Sequence, residues 1–159
     1  MQPRIRLLAL GNELLADDAV GLAVADQVRR AMPELEVVSA AAGGLALMDL
    51  ILDADRLIVV DALLSGTAAA GTIHVIREDE VRVAFGPSPH YTGLWEVLAL
   101  GRALGLAVPR DVVIVAVEAA DCGTMGGTMH PSVRGAVGEA ARLIRDCVAG
   151  WRNGGDGRA

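Results

Sequence analysis

The fold of this chain is decided by the stretch Ile5-Arg6-Leu7-Leu8-Ala9-Leu10-Gly11-Asn12, an apolar run that ends in two turn residues. A continuous apolar run of this length suits a strand buried on both faces, as in the centre of a parallel sheet. The next apolar residues, from Val20 to Val28, recur at helical spacing and stop before Pro33. This pattern predicts a helix over about residues 17–32.

The alternation of strand and helix continues along the chain. Apolar runs predict further strands at 36–40, 57–60, 71–77 and 111–117, and helical periodicity predicts helices at 45–54, 93–104 and 131–151. Such alternation implies parallel strands joined by right-handed crossovers. The run 71–77 follows a loop with no helix before it, so we expect an antiparallel edge strand there.

The predicted fold class is therefore α/β. We expect one three-layer domain over residues 1–152, with a mostly parallel, twisted sheet of about five strands and helices on both faces. Residues 153–159 are predicted to form a flexible tail.

Composition excludes several classes of protein. The net charge is −6 and lysine is absent, so the basic surface that binds a nucleic-acid backbone is missing. The two cysteines, Cys122 and Cys147, have no paired spacing, which indicates a reducing compartment. The apolar run near the N-terminus is too short for a signal peptide or a membrane span. We expect a cytoplasmic monomer without a membrane or nucleic-acid partner.

Three residues are candidates for the chemistry of a site. Asp18 lies at the start of the first predicted helix, Asp61 follows the predicted strand 57–60, and His90 lies in a loop. In a doubly wound sheet the carboxyl ends of neighbouring strands bring such residues to one crevice. Two carboxylates and an imidazole suit a divalent first-row ion such as nickel or zinc, with positions left open for water or a substrate group.

Each candidate also has an ordinary structural explanation. Asp17 and Asp18 would interact well with a helix dipole whatever the function. Because consecutive helical residues point about 100° apart, one of them can cap the helix while the other faces the crevice. Asp61 could simply form a turn, and His90 could be a solvated loop residue. His74 and His130 are weaker candidates, since the first lies mid-strand and the second precedes a helix.

Familiar catalytic signatures are absent from the sequence, which has no H-E-x-x-H, G-x-S-x-G, P-loop or C-x-x-C motif. The first loop carries a single glycine, Gly11, where a dinucleotide-binding loop needs three. The sequence therefore does not favour a common zinc protease, a serine hydrolase or a Rossmann-type dinucleotide-binding protein.

The segment from Gly11 to Gly21 resembles the G-N-x-L-x-x-D-[DE]-x-x-G opening of the hydrogenase maturation proteases. Three later segments agree in order and spacing. Residues 57–62 are similar to that family's strand ending in D-A, residues 71–73 to its G-T-[IM], and residues 88–94 to its S-x-H-x-x-G-L. The likeness covers about residues 4–150, and the chain is identified as a member of this family.

The resemblance implies roles for particular residues. Those implied to bind nickel and to act in catalysis are Asp18, Asp61 and His90. Asp17 and Asn12 are implied to support these three residues or to cap a helix. Gly43 and Gly44 are implied to bind substrate. The nickel would arrive with the substrate, and zinc or cadmium could occupy the same ligands.

The resemblance also implies an activity and a partner. It implies a cytoplasmic, aspartic-type endopeptidase that removes a C-terminal peptide from the [NiFe]-hydrogenase large-subunit precursor once nickel has been inserted. Whether the metal or a carboxylate activates the hydrolytic water stays open. Two other readings also stay open: a non-proteolytic assembly factor that binds the metal-loaded large subunit, and a small-ligand or phosphate-binding α/β domain.

Two segments depart from the family pattern. An acidic-Gly-Gly-Thr stretch usually follows the second strand, whereas this chain has Ser39-Ala40-Ala41-Ala42 before Gly43 and Gly44. The loop 118–130 differs from many members, and its glycines predict a mobile flap near the crevice. We expect this flap to choose the partner hydrogenase.

Overall fold

The computed structural model describes residues 2–80 and 93–155. It contains five strands, β1 (Ile5–Leu10), β2 (Glu36–Ala40), β3 (Arg56–Leu63), β4 (Ile73–Arg77) and β5 (Asp111–Glu118). Its α-helices are α1 (Val20–Ala31), α2 (Met48–Ile51), α3 (Leu94–Ala103) and α4 (Pro131–Arg152). Short 3-10 turns occur at Ala16–Ala19, Gly44–Leu47 and Glu78–Glu80.

The strands form one sheet in the order β2-β1-β3-β5-β4. The pairs β1 with β2, β1 with β3 and β3 with β5 are parallel, and β4 pairs antiparallel with β5 at the edge. The predicted fold class is confirmed, including the antiparallel edge strand. No helix connects β3 to β4, so the chain turns back instead of making the crossover that a parallel partner requires.

Both faces of the sheet are covered by helices. Alternate residues of β3, among them Ile58 and Val60, pack with α1 and α4. The residues between them, among them Leu57 and Val59, pack with α2 and α3. Burial on both faces explains why the central strands are continuous apolar runs. Among the helices that the structure describes, none has the length and apolarity of a membrane span.

Several element boundaries differ from the prediction. β3 does not end before Asp61 but continues to Leu63, because β5 supplies register partners for Asp61 and the two residues after it. The predicted helix 17–32 starts as a 3-10 turn, and the predicted helix 45–54 is a 3-10 turn followed by one α-helical turn. α4 ends at Arg152, and residues 156–159 of the predicted tail lie outside the described part of the chain.

The first turn of α1 lies directly on the backbone of two strands. A Cβ atom on Gly21 would come within 2.5 Å of the carbonyl oxygen of Leu10 and 2.8 Å of that of Val60. Real Cβ atoms essentially never approach so closely. This close packing holds the residues that precede α1 against the end of β1 and against β3 just before Asp61.

Gly21→Ala is expected to lower the free energy of unfolding by about 1–3 kcal/mol, because the added methyl group meets backbone that cannot move aside easily. Gly135→Ala is the matched control, since a Cβ there meets nothing within 4 Å in helix α4. The control should raise the free energy of unfolding by about 0.5–1 kcal/mol. Chemical denaturation measures both. Equal effects of the two changes would contradict the packing argument.

Candidate active site

The loop after β1 wraps around the carboxylate of Asp18. The backbone N–H of Asn12 donates to Asp18 Oδ2 at 2.9 Å, and Asn12 Oδ1 accepts from the N–H of Leu14 at 2.9 Å. Gly11 permits this tight path, because its φ is +152° and a Cβ there would lie 2.1 Å from the backbone oxygen of Asp18. Ala16 has φ +33°, which few non-glycine residues adopt. The loop therefore fixes Asp18, which is 1% exposed.

Asp61 lies within β3 and is fully buried. Its Oδ1 accepts a hydrogen bond from the N–H of Ala62 at 2.8 Å. Val60, the residue before it, pairs with Ala9 of β1, so Asp61 is level with the end of β1 and the start of the Gly11 loop. A carboxylate in this position would be costly to bury without polar or cationic partners.

The structure brings Asp18 and Asp61 to the same edge of the sheet. The contact of Gly21 with Leu10 and Val60 places the start of α1 over the end of β1 and over the residue of β3 that precedes Asp61. The charges of both carboxylates also affect the pKa of the Cys122 thiol. The pKa of Cys122 is raised to about 12, mainly by burial and then by the negative charges of Asp18, Asp17, Asp61 and Asp121, in that order. These carboxylates therefore share one electrostatic neighbourhood.

The third predicted site residue, His90, lies outside the described residues. Within residues 2–80 and 93–155, no three His, Cys, Asp or Glu side chains form a group that could hold a metal ion. Carboxylate oxygens suit divalent cations, so Asp18 and Asp61 offer fitting donors but only part of a ligand set. The metal-binding and catalytic roles of the three residues stay predictions.

Asp17 binds the glycine-rich loop instead of capping its own helix. Neither the 3-10 turn nor α1 has a side-chain cap at its start, so of the two roles predicted for Asp17 the helix cap is not seen, and support of the site stays a prediction. The buried carboxylate accepts from the backbone N–H groups of Ala120 at 2.8 Å, Asp121 at 2.9 Å and His130 at 2.6 Å. Both ends of the loop 120–130 are thereby held beside Asp18.

Gly43 and Gly44 lie where β2 leads into the 3-10 turn. Gly44 has φ +57°. A Cβ on Gly93, just before α3, would be 3.6 Å from the Cα of Gly44. The predicted substrate-binding glycines therefore face the start of α3 at the same edge of the sheet, and their role stays a prediction.

The sequence analysis missed a further buried carboxylate, Glu118, at the end of β5. It accepts hydrogen bonds from the N–H and Oγ of Ser65 and from the N–H of Gly66. Its Oε2 is 3.3 Å from His74 Nε2. An acidic residue directly after a buried apolar run, as at Asp61, was the signal that could have identified it. His130 caps helix α4, since its Nδ1 accepts from the N–H of Ser132.

Asp17→Ala is expected to release the loop 120–130 and to lower the free energy of unfolding by about 2–4 kcal/mol, because three N–H groups lose a charged acceptor. Hydrogen exchange at Ala120, Asp121 and His130 should become faster. Asp26→Ala is the control, because Asp26 is exposed on α1 and pairs only at the surface with Arg29. It should change stability by less than about 0.5 kcal/mol. Unchanged exchange at the three amides of Asp17→Ala would contradict the assignment.

Known proteins share the sequence pattern of this chain along most of its length. The family model described as hydrogenase maturation protease (HycI) matches residues 22–146. The hydrogenase expression/formation protein HupD of Bradyrhizobium diazoefficiens is 32% identical over 154 residues, which cover 93% of this chain and 79% of HupD. The hydrogenase 2 maturation protease of Escherichia coli is 34% identical over 119 residues, 72% of each chain.

Solved structures show the same fold. The hydrogenase maturating endopeptidase HybD of E. coli superposes with a TM-score of 0.77 at 28% identity, covering 95% of this chain and 94% of HybD. The [NiFe] hydrogenase maturation protease HybD of Thermococcus kodakarensis has a TM-score of 0.72 at 24% identity, with 89% and 97% of the two chains covered, and supports the fold alone. The chain belongs to the hydrogenase maturation protease family, a family of peptide-bond hydrolases.

Proposed function

We propose that this chain removes a C-terminal peptide from a nickel-loaded [NiFe]-hydrogenase large-subunit precursor and recognises the substrate through its nickel. The observation that carries the proposal is the pair of buried carboxylates, Asp18 and Asp61, which come from different elements to one edge of the sheet. His90 is the proposed third ligand.

Electrostatics favour a cation carried by the substrate. Two anions buried in one neighbourhood repel each other and lose hydration, so a divalent ion that arrives between them is stabilised strongly. The nickel here is cargo of the substrate, already held by the precursor. Binding of the precursor then depends on whether nickel is present, and the free energy of recognition discriminates loaded from unloaded substrate.

The residues of this chain would act on the scissile peptide in two ways. Asp18, Asp61 and His90 would hold the nickel of the substrate, which would orient the precursor and polarise a carbonyl oxygen. A carboxylate oxygen of Asp18 or Asp61 that does not contact the cation can accept a proton from the attacking water, which is the aspartic-type route. Both routes need a fixed carboxylate, and the loop around Asp18 and the strand around Asp61 provide it.

We infer that the protein acts as a monomer in the cytoplasm, where the precursor is matured.

The direct test is mass spectrometry of a large-subunit precursor, with and without nickel, after incubation with this protein. We expect the nickel-loaded form alone to lose a C-terminal peptide. The variants Asp18→Asn, Asp61→Asn and His90→Ala should each slow processing by about 100-fold or more, because each removes a group required in the transition state. Their melting temperatures should stay close to that of the wild type.

Asp26→Asn serves as the matched carboxylate control, since Asp26 is exposed on α1, and it should process at the wild-type rate. Processing of both precursor forms alike would refute recognition through nickel. Wild-type rates in the three site variants would refute the site. Binding of the loaded precursor without any shortening would favour the non-proteolytic assembly factor.

A further inference from the structure

Large apolar side chains are exposed in every loop that follows a parallel strand. Leu14 follows β1, Leu45 follows β2, Leu64 follows β3 and Met125 follows β5, with exposed fractions of 58%, 70%, 44% and 78%. Among the other exposed large apolar residues in the described part of the chain, only Leu104, at 63%, exceeds 41%. The most exposed apolar groups are therefore concentrated at one edge of the sheet. We call these four residues the apolar collar.

The loops that carry the apolar collar leave the sheet at the edge where the candidate active site lies. The carboxyl ends of parallel strands share one edge of a sheet, and Asp18 and Asp61 lie at that edge. Leu14 belongs to the loop that binds Asp18, and Leu64 comes three residues after Asp61. The loops of Leu14 and Met125 also pair with each other, through a bridge between Leu15 and Met125 and a hydrogen bond from the N–H of Gly126 to the Leu14 oxygen at 2.8 Å.

Buried carboxylates hold the loops that present the apolar collar. Asp17 fixes both ends of the loop that carries Met125. Glu118 fixes Ser65 and Gly66, next to Leu64. Loops whose backbone is already fixed lose little backbone freedom when they are covered, which favours binding. Exposed apolar groups that cluster in this way mark surfaces where proteins associate.

We propose that the apolar collar is the docking surface for the metal-bearing face of the large-subunit precursor, a folded protein surface with apolar residues around its metal. This inference rests on the proposed function. Two observations indicate this partner: the collar is continuous with the candidate active site, and its loops carry no positive charge. A protein that brings its metal to Asp18 and Asp61 must cover the surrounding loops. Those loops, at 11–19, 41–47, 64–72 and 119–130, contain no Arg or Lys, so they suit a face that carries a cation.

The test compares binding and processing of the nickel-loaded precursor by Leu14→Ser, Leu45→Ser and Met125→Ser. Each change should raise KM and the directly measured Kd by about ten-fold, because each removes one apolar side chain that is buried in the complex. The value of kcat should stay within about two-fold, since these residues would bind substrate without touching the reacting atoms. All three residues are exposed, so melting temperatures should be unchanged.

Leu104→Ser is the matched control. α3 starts beside Gly44 at the site edge, and Leu104 follows its other end, so Leu104 is exposed far from the site. Unchanged Kd in the collar variants, or an equal rise in Leu104→Ser, would overturn the proposal. A third outcome would also overturn the proposal: the wild type is a dimer, and the collar variants are monomers that bind the precursor normally. The collar would then join two copies of this chain.

The Kd measurement separates this inference from the proposed function. If the wild type binds the precursor without shortening it and the collar variants bind about ten-fold more weakly, the docking surface stands and the proteolytic function fails. If the wild type shortens the precursor and the collar variants bind and shorten it equally well, the function stands and the docking surface is wrong.

Discussion

The rest of the structure depends on how closely α1 approaches the sheet. Gly21 has no side chain, so the first turn of α1 rests on the carbonyl groups of Leu10 and Val60. A larger residue would push the helix outward and carry Asp17 and Asp18 with it. Because Val60 directly precedes Asp61, the same contact sets the spacing between the two carboxylates of the candidate site. A packing constraint in the core thus becomes a constraint on the chemistry at the edge.

Buried acids connect this scaffold to the surface that a substrate would meet. Asp17 and Glu118 each satisfy backbone N–H groups of a loop that leaves the sheet. Ionised acceptors bind such donors about twice as strongly as neutral ones, so each loop gains a fixed base. The fold thereby combines a polar, buried centre at Asp18 and Asp61 with apolar side chains around it, an arrangement suited to recognising a metal ion presented by another protein.

The sequence predicted the fold well where local pattern decides it. Apolar runs and helical spacing identified the sheet and its helices, and the missing helix before residues 71–77 identified the edge strand. It predicted that β3 would end before Asp61, whereas the strand continues because β5 supplies partners for the next three residues. It predicted that Asp17 would support the site or cap a helix, but it could not show that the carboxylate binds a loop more than 100 residues away along the chain. The position of Glu118 directly after a buried apolar run was a visible signal, but its hydrogen-bond partners also come from tertiary packing. The role of His90 stays a prediction.

The central claim is that Asp18 and Asp61 bind nickel that the precursor carries, and the most direct measurement is the nickel X-ray absorption spectrum of the loaded precursor. The spectrum would be recorded for the precursor alone and for a mixture with this protein frozen before processing is complete. The account predicts additional oxygen ligands to nickel in the mixture, and their loss when Asp61→Asn replaces the wild type. A nickel spectrum that stays the same while the two proteins are bound would contradict it.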